Sequence, residues 1–142
     1  GRPLVAPHTD VGVVTLLHFD GGEGACAVLQ RANGGGWVDV SVPANQKNQK
    51  MKLGPVFVVN AADVLSDLTD GVIKSTLHRV MPVRPPHVKK GKNRHCLAFF
   101  MGMDPSLELE MPGSDKKITF EEWRRQRIKH AQDILRRDVA ST

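Results

Sequence analysis

The sequence predicts a mainly β fold, a barrel or a sandwich, that ends in one α-helix. Short runs of β-branched and apolar residues follow one another closely, glycine-rich turns separate them, and only the last residues show helical periodicity. The length of 142 residues fits one globular domain. The longest apolar runs are far shorter than the ~18 residues of a membrane-spanning helix, so we expect no membrane association.

The expected strands follow from Val, Leu and Thr content and from the turns between them. They cover residues 11–19, 25–31, 36–42, 56–60, 73–81, 95–101 and 107–111. Residues 62–68 fit either a strand or a helix, and the Asp70-Gly71 pair indicates a turn after them. Residues 45–52 and 82–93 are polar and without periodicity, so we predict surface insertions there.

The end of the chain is predicted as a helix that begins after Thr119. Thr119 and Glu122 have the spacing of a capping box. Apolar residues then recur at helical spacing and predict a face that packs on the sheet; they are Phe120, Trp123, Ile128, Ala131, Ile134 and Leu135. We therefore divide the chain into a β core, residues 1–118, and a helix packed on it, residues 119–142.

Charge and cysteine content limit the possible partners and the compartment. The net charge of +5 favours an acidic small molecule, a nucleic acid or an anionic surface. With 5 Phe, 2 Trp and no Tyr, aromatic platforms for nucleic-acid bases are scarce, which disfavours a nucleic-acid partner. Cys26 and Cys96 are too few for a disulfide framework, although one bridge stays open. We interpret them as buried or poised thiols in a reducing, cytoplasmic compartment.

Three residues form a candidate metal site. In an extended chain, residues i and i+2 point to the same side, so the side chains of His8 and Asp10 can converge. A His-x-Asp pair alone is weak support, because such a spacing often arises by chance. His78, in a β-prone run, adds a second imidazole. Two imidazoles and one carboxylate form the facial triad of non-haem Fe(II) oxygenases.

Arg94 and Cys96 form a second candidate site at the start of an apolar strand. The i, i+2 spacing places both side chains on one face of that strand. An inward guanidinium would bind a carboxylate with two parallel hydrogen bonds. The alternative is that Arg94 is a surface charge that continues the lysine run before it.

Several blocks of the sequence form one larger pattern. They are, in order, Pro7-His8-Thr9-Asp10 with Val14-Thr15-Leu16-Leu17, Val59-Asn60-Ala61-Ala62-Asp63, Asp70-Gly71, Lys74-Ser75-Thr76-Leu77-His78-Arg79-Val80, and Arg94-x-Cys96 with Ala98-Phe99-Phe100. In their order and spacing, these blocks resemble the Fe(II)- and 2-oxoglutarate-dependent dioxygenases of the isopenicillin N synthase-like branch. The resemblance covers nearly the whole chain, including the Glu121-Glu122-Trp123 segment of the predicted helix.

The resemblance implies a double-stranded β-helix, or jelly roll, of which this chain is the C-terminal catalytic half. Residues 1–118 would then be a partial, N-terminally truncated jelly roll. It also implies that His8, Asp10 and His78 bind Fe(II), and that Arg94 and Cys96 hold the distal carboxylate of 2-oxoglutarate. The implied activity is oxidation of a small-molecule substrate by O2, with release of succinate and CO2. Ascorbate is a further candidate cofactor.

Departures from the family pattern leave two alternatives open. Cys96 stands where the family has serine and offers only a weak S–H donor, and Ala62-Asp63 replaces a Gly-Asp pair. The long N-terminal region of the family is absent here, so we expect an exposed sheet edge through which the chain pairs with itself. The alternatives are an iron oxidase that does not use 2-oxoglutarate, and a non-catalytic jelly-roll module that binds anions or RNA.

Overall fold

A computed structural model of the chain describes residues 1–19, 27–40, 57–83, 87, 93 and 95–140. Within these residues the elements follow in the order β1 (Val5–His8), β2 (Val14–Phe19), β3 (Ala27–Asn33), β4 (Gly36–Asp39), β5 (Val58–Ala61), α1 (Asp63–Leu68), β6 (His78–Pro82), β7 (Cys96–Met101), β8 (Glu108–Glu110), β9 (Lys117–Thr119) and α2 (Phe120–Ala140).

Two antiparallel sheets form the β core. One has the strand order β1-β6-β3-β4 and the other β5-β2-β7. From β1 to β7, consecutive strands lie in different sheets except for the β3–β4 hairpin. A chain that winds back and forth between two facing sheets in this way is a jelly roll. The predicted fold class is therefore confirmed.

A separate apolar cluster joins the two helices to a small β8–β9 hairpin. Val64 of α1, Leu109 of β8, and Phe120 and Trp123 of α2 are its buried members. The rings of Phe120 and Trp123 are stacked, with centroids 5.9 Å apart. This cluster attaches the start of α2 to α1, the helix that begins at Asp63.

The N-terminus of α2 is as predicted, but its predicted packing face is only partly right. Thr119 Oγ1 accepts a hydrogen bond from the Glu122 N–H at 3.2 Å, as a capping residue does. Further along, Ile128 is 39% exposed and Ala131 is also exposed. Periodicity shows which side chains share a face, not how much of that face another element covers. The side chains of Ile134 and Leu135 lie outside the described part.

Near the candidate metal ligands, one strand was not predicted and another begins later than predicted. Residues 5–8 form a strand that was not predicted, because its proline is atypical of strands; β1 lies at the sheet edge, where proline is tolerated. β2 begins at Val14 rather than at residue 11, since Gly12 has a φ of +139°, which ends the extended conformation.

Other differences concern the segments on both sides of β6 and the short hairpin. Pro82, where the predicted insertion 82–93 begins, is the last residue of β6. β6 begins at His78, so residues 73–77 are not strand; the ambiguous residues 62–68 form helix α1 from Asp63. Strand β9 was not predicted, because three residues are too few to show a pattern. The predicted insertion at residues 45–52 lies outside the described residues. Neither described helix is long and apolar enough to cross a membrane.

Candidate metal centre

Strand pairing brings the two candidate histidine ligands together. His8 is the last residue of β1 and His78 the first residue of β6, and these residues are partners in the antiparallel register. Their ring centroids are 4.2 Å apart. Although the two residues lie far apart in sequence, the sheet therefore holds their imidazoles side by side.

Asp10 completes a compact group of ligand atoms. Its Oδ1 lies 3.6 Å from His8 Nε2 and 3.8 Å from His78 Nε2. One ligand atom from each residue can be chosen so that all lie within 4.8 Å of one another. Both nitrogen-to-oxygen distances are too long for hydrogen bonds, so these three side chains face a common point without bonding to each other.

Hydrogen bonds on the far side of each ring fix the histidine tautomers. The Nδ1 of His8 donates to the carbonyl oxygen of Ala6 at 2.8 Å, and the Nδ1 of His78 donates to that of Thr76 at 2.9 Å. A carbonyl oxygen can only accept, so the proton of each neutral ring is on Nδ1. The Nε2 lone pairs are then free to face Asp10. Metal-binding histidines are commonly held by such a backbone bond.

The residues present fit a divalent cation. Two Nε2 lone pairs and a carboxylate oxygen converge, and three acceptors repel one another unless a positive charge lies between them. Asp10 is only 6% exposed, and its Oδ2 has no hydrogen-bond partner within the described part of the chain. His78 is equally buried, whereas the side chain of His8 is 41% exposed. The group is therefore open to a ligand on the His8 side.

The loop after β1 curls tightly to place Asp10. A Cβ on Gly12 would lie 2.8 Å from the Met101 carbonyl oxygen, so only glycine allows this close approach to β7. The carbonyl oxygen of Asp10 accepts the Asp63 N–H at 2.9 Å. The side chains of His8 and Asp10 do converge as predicted, although strand β1 ends at His8 and Asp10 lies in the loop that follows.

A cavity of about 230 Å³ lies between the two sheets, next to the three candidate ligands. Cys96 lines it, together with His8, Asp10 and His78. Its other lining residues are Val5, Thr15, Leu17, Leu29, Val80, Ala98 and Phe100. Cys96 is exposed rather than buried, because β7 is the outer strand of its sheet. Arg94 and Cys26 lie outside the described residues.

Sequence reasoning missed several residues that belong to this site. Thr15 and Leu17 of β2 and Phe100 of β7 point into the cavity, and their signal was the period-2 alternation of each strand. Asp63 is a buried carboxylate that bonds the segments around the candidate ligands. The signal for Asp63 was its place in the Ala62-Asp63 pair, where the family has Gly-Asp, although that pair does not indicate which residues Asp63 bonds.

Comparison with known proteins agrees with this arrangement. The sequence profile of the 2OG-Fe(II) oxygenase superfamily matches residues 2–102, which is well over half of the chain. The chain belongs to the 2OG-Fe(II) oxygenase superfamily. The predicted family membership is thus confirmed, and with it Fe(II) and 2-oxoglutarate as the metal and cosubstrate of the family.

Individual relatives are longer than this chain. A homoarginine-6-hydroxylase of Arabidopsis thaliana is 36% identical over 94 residues, which are 66% of this chain and 23% of that protein. A 1-aminocyclopropane-1-carboxylate oxidase of the same plant is 33% identical over 112 residues, or 79% of this chain and 26% of the relative. The chain therefore spans about a quarter of the length of these oxygenases.

A solved oxygenase structure has the same fold. A full-length Neurospora crassa protein in complex with alpha-KG and thymine matches with a TM-score of 0.66 and 26% identity. The match covers 92% of this chain and 38% of the Neurospora protein. Nearly all of the present fold therefore corresponds to one part of a longer superfamily member.

Proposed function

We propose that this chain carries the iron- and 2-oxoglutarate-binding part of an oxygenase that oxidises a small-molecule substrate with O2. The observation that supports this most is the convergence of His8 Nε2, His78 Nε2 and Asp10 Oδ1, beside a buried Asp10 Oδ2 that has no hydrogen-bond partner among the described residues. Membership of the superfamily makes Fe(II) the expected cation.

Each residue has a definite task in this proposal. His8, Asp10 and His78 hold Fe(II), and their backbone bonds keep both imidazoles in the metal-binding tautomer. When bound there, iron would supply the redox chemistry that activates O2, and the oxidative decarboxylation of 2-oxoglutarate to succinate would supply the electrons. Arg94 binds the distal carboxylate of 2-oxoglutarate. The buried apolar side chains of Leu17 and Leu29 limit water on their side of the cavity.

The proposal is tested by titrating the protein with Fe(II) and 2-oxoglutarate under anaerobic conditions. We expect a visible charge-transfer band when a 2-oxo acid binds iron through two atoms, and no band with either component alone. A folded protein, verified by circular dichroism, that gives no band and retains no iron would overturn the proposal. It would favour a non-catalytic module, which salt-dependent binding of RNA would then identify.

Arg94→Ala should weaken 2-oxoglutarate binding and leave iron binding intact. The guanidinium supplies charge-assisted hydrogen bonds to a carboxylate, and the loss of such a pair costs about 1.5–3 kcal/mol, or roughly 10- to 150-fold in Kd. The measurement is the midpoint of the charge-transfer titration. Lys90→Ala removes the same charge from the same segment and serves as the control. An equal loss of iron in the Arg94 variant would indicate a structural role instead.

The alternative within this class is an oxidase that needs no 2-oxoglutarate. One relative is named as an oxidase of 1-aminocyclopropane-1-carboxylate. In that case Arg94 would bind a substrate carboxylate, and O2 uptake would proceed without added 2-oxoglutarate. We expect O2 uptake to depend on added 2-oxoglutarate, which an oxygen electrode measures directly.

The edge of β7 provides a surface for pairing with a second copy. Among the described strands β7 pairs only with β2, and its Leu97 and Phe99 side chains are 72% and 60% exposed. Unpaired strand edges with apolar side chains promote association. We expect the mass in analytical ultracentrifugation to rise with protein concentration and Phe99→Lys to suppress that rise. A monomer at every concentration would contradict this expectation.

A further inference from the structure

We propose that Asp63 is a positioning residue for the metal centre and that Arg127 of α2 holds it in place. This inference rests on the proposed function, because it concerns the same three ligands. The carboxylate of Asp63 bonds to both chain segments that carry those ligands, and to the C-terminal helix. We infer that α2 acts through this carboxylate on the spacing of the iron ligands.

Three side-chain donors converge on Asp63, which is only 3% exposed. Its Oδ1 accepts a hydrogen bond from Ser75 Oγ at 2.5 Å. Its Oδ2 accepts one from Thr9 Oγ1 at 3.2 Å and another from Arg127 Nε at 2.6 Å. Every donor comes from a different part of the chain, so this one carboxylate fixes three segments relative to each other.

Two of these segments are those of the metal ligands. Thr9 lies between His8 and Asp10, and the backbone N–H of Asp63 also donates to the carbonyl oxygen of Asp10 at 2.9 Å. Ser75 precedes Thr76, whose carbonyl oxygen holds the Nδ1 of His78. A shift of Asp63 would therefore move the Asp10 loop and the His78 segment relative to each other.

The third segment, α2, reaches Asp63 across a gap. A cavity of about 330 Å³ lies between α2 and the end of β1. His8 and Thr9 line it on the strand side, and Arg127 and His130 line it on the side of α2. The Arg127–Asp63 ion pair spans this gap, with the carboxylate buried and the arginine side chain 39% exposed. At this gap the helix is joined to the ligand segments by a charge pair, in addition to the apolar cluster of Phe120 and Trp123 against which Val11 packs.

The charge of Arg127 is needed because the Asp63 carboxylate is buried. A buried carboxylate is costly without a positive partner, and the removal of one member of such a pair leaves the other uncompensated. Without Arg127, the Asp63 carboxylate would turn toward water, and the bonds to Thr9 and Ser75 would change. The ligand spacing would relax as a result, and the affinity for a divalent cation would fall.

The test compares Co(II) binding and its visible spectrum in the purified protein and four variants. Asp63→Asn keeps the shape and removes the charge, Arg127→Gln removes the partner, and Arg127→Lys restores a positive charge. Arg124→Gln is the matched control, because Arg124 lies on the same helix and pairs only with Glu121 among the described residues. Thermal unfolding of each metal-free protein is measured in parallel.

We expect Asp63→Asn and Arg127→Gln to raise the Kd for Co(II) by about 10- to 100-fold, as is usual for residues that orient metal ligands. Both should also shift the visible Co(II) bands, which report the ligand geometry. Arg127→Lys should recover most of the affinity, and Arg124→Gln should stay within about twofold of the unsubstituted protein. If Asp63→Asn does not fold, the two Arg127 variants still carry the comparison.

The possible failures can be told apart. Unchanged Kd and spectrum in Asp63→Asn and Arg127→Gln, with normal binding by the unsubstituted protein, would overturn this inference alone. A lower unfolding temperature with unchanged Kd would also overturn it, because the role would then be only structural. If the unsubstituted protein binds no Co(II), the proposed function and this inference are both overturned.

Discussion

Asp10→Asn is expected to lower the affinity for Fe(II) by more than about 100-fold, a larger effect than that of a residue which only orients a ligand. Asp10 supplies the one carboxylate oxygen that faces both Nε2 atoms, at 3.6 and 3.8 Å. An asparagine of the same shape has no negative charge and is a much weaker ligand for Fe(II). The measurement is an anaerobic Fe(II) titration.

The same substitution should stabilise the metal-free protein. In that state Asp10 is a buried acceptor whose Oδ2 has no partner in the described residues, facing two nitrogen lone pairs. An amide removes the charge and brings an N–H donor that can face a lone pair, and one such hydrogen bond is worth about 1 kcal/mol. We therefore expect the free energy of unfolding to rise by about this amount while iron binding is lost.

A substitution that lowers metal affinity but raises the free energy of unfolding indicates a residue that serves ligand binding rather than folding. Asp115→Asn, at an exposed position of the β8–β9 connection, is the control and should change neither quantity. Iron binding retained by Asp10→Asn would remove this residue from the ligand set. A metal-free variant that is clearly less stable would contradict the predicted rise in the free energy of unfolding.

The sequence alone predicted those features of the fold and of the candidate site that follow from local residue patterns. The apolar runs located most strands of the jelly roll, and the capping box located the start of α2 at Thr119. The order and spacing of motifs selected His8, Asp10 and His78. In the fold, one ligand atom of each residue lies within 4.8 Å of the other two. The fold class and the start of α2 were predicted correctly because they depend on residues close together in sequence, and the family because its pattern is shared. The role of His8, Asp10 and His78 as iron ligands stays a prediction.

Other features depend on pairing between distant segments, and the sequence did not predict them. β1 contains Pro7 and forms only because β6 offers a partner strand. Asp63 bonds Arg127, 64 residues further along the chain, and neither residue has a neighbour that indicates the contact. Ile128 has the spacing of a core residue but stays 39% exposed. Tertiary contact, not local preference, decides all three cases.

Trp123→Ala is expected to lower the free energy of unfolding by about 3–5 kcal/mol, the usual cost of deleting a buried aromatic side chain. Trp123 is 7% exposed, stacks on Phe120 and belongs to the cluster around Val64 and Leu109. Since domains of this size have a total stability of about 5–15 kcal/mol, the loss is a large part of the whole. Denaturation in urea, followed by circular dichroism, measures it.

Two further substitutions separate the contributions to this cluster. Trp123→Phe keeps most of the buried ring but removes the hydrogen bond from Trp123 Nε1 to Asp67 Oδ2, which is 3.0 Å long. The loss of this bond should lower the free energy of unfolding by about 1 kcal/mol, in addition to the effect of the smaller ring. Ile128→Ala, on the same helix but 39% exposed, should cost less than about 1 kcal/mol. Equal effects of Trp123→Ala and Ile128→Ala would show that the start of α2 does not anchor the fold. Because the cluster also holds α1, whose first residue is Asp63, a large effect would mean that the same packing supports the metal centre.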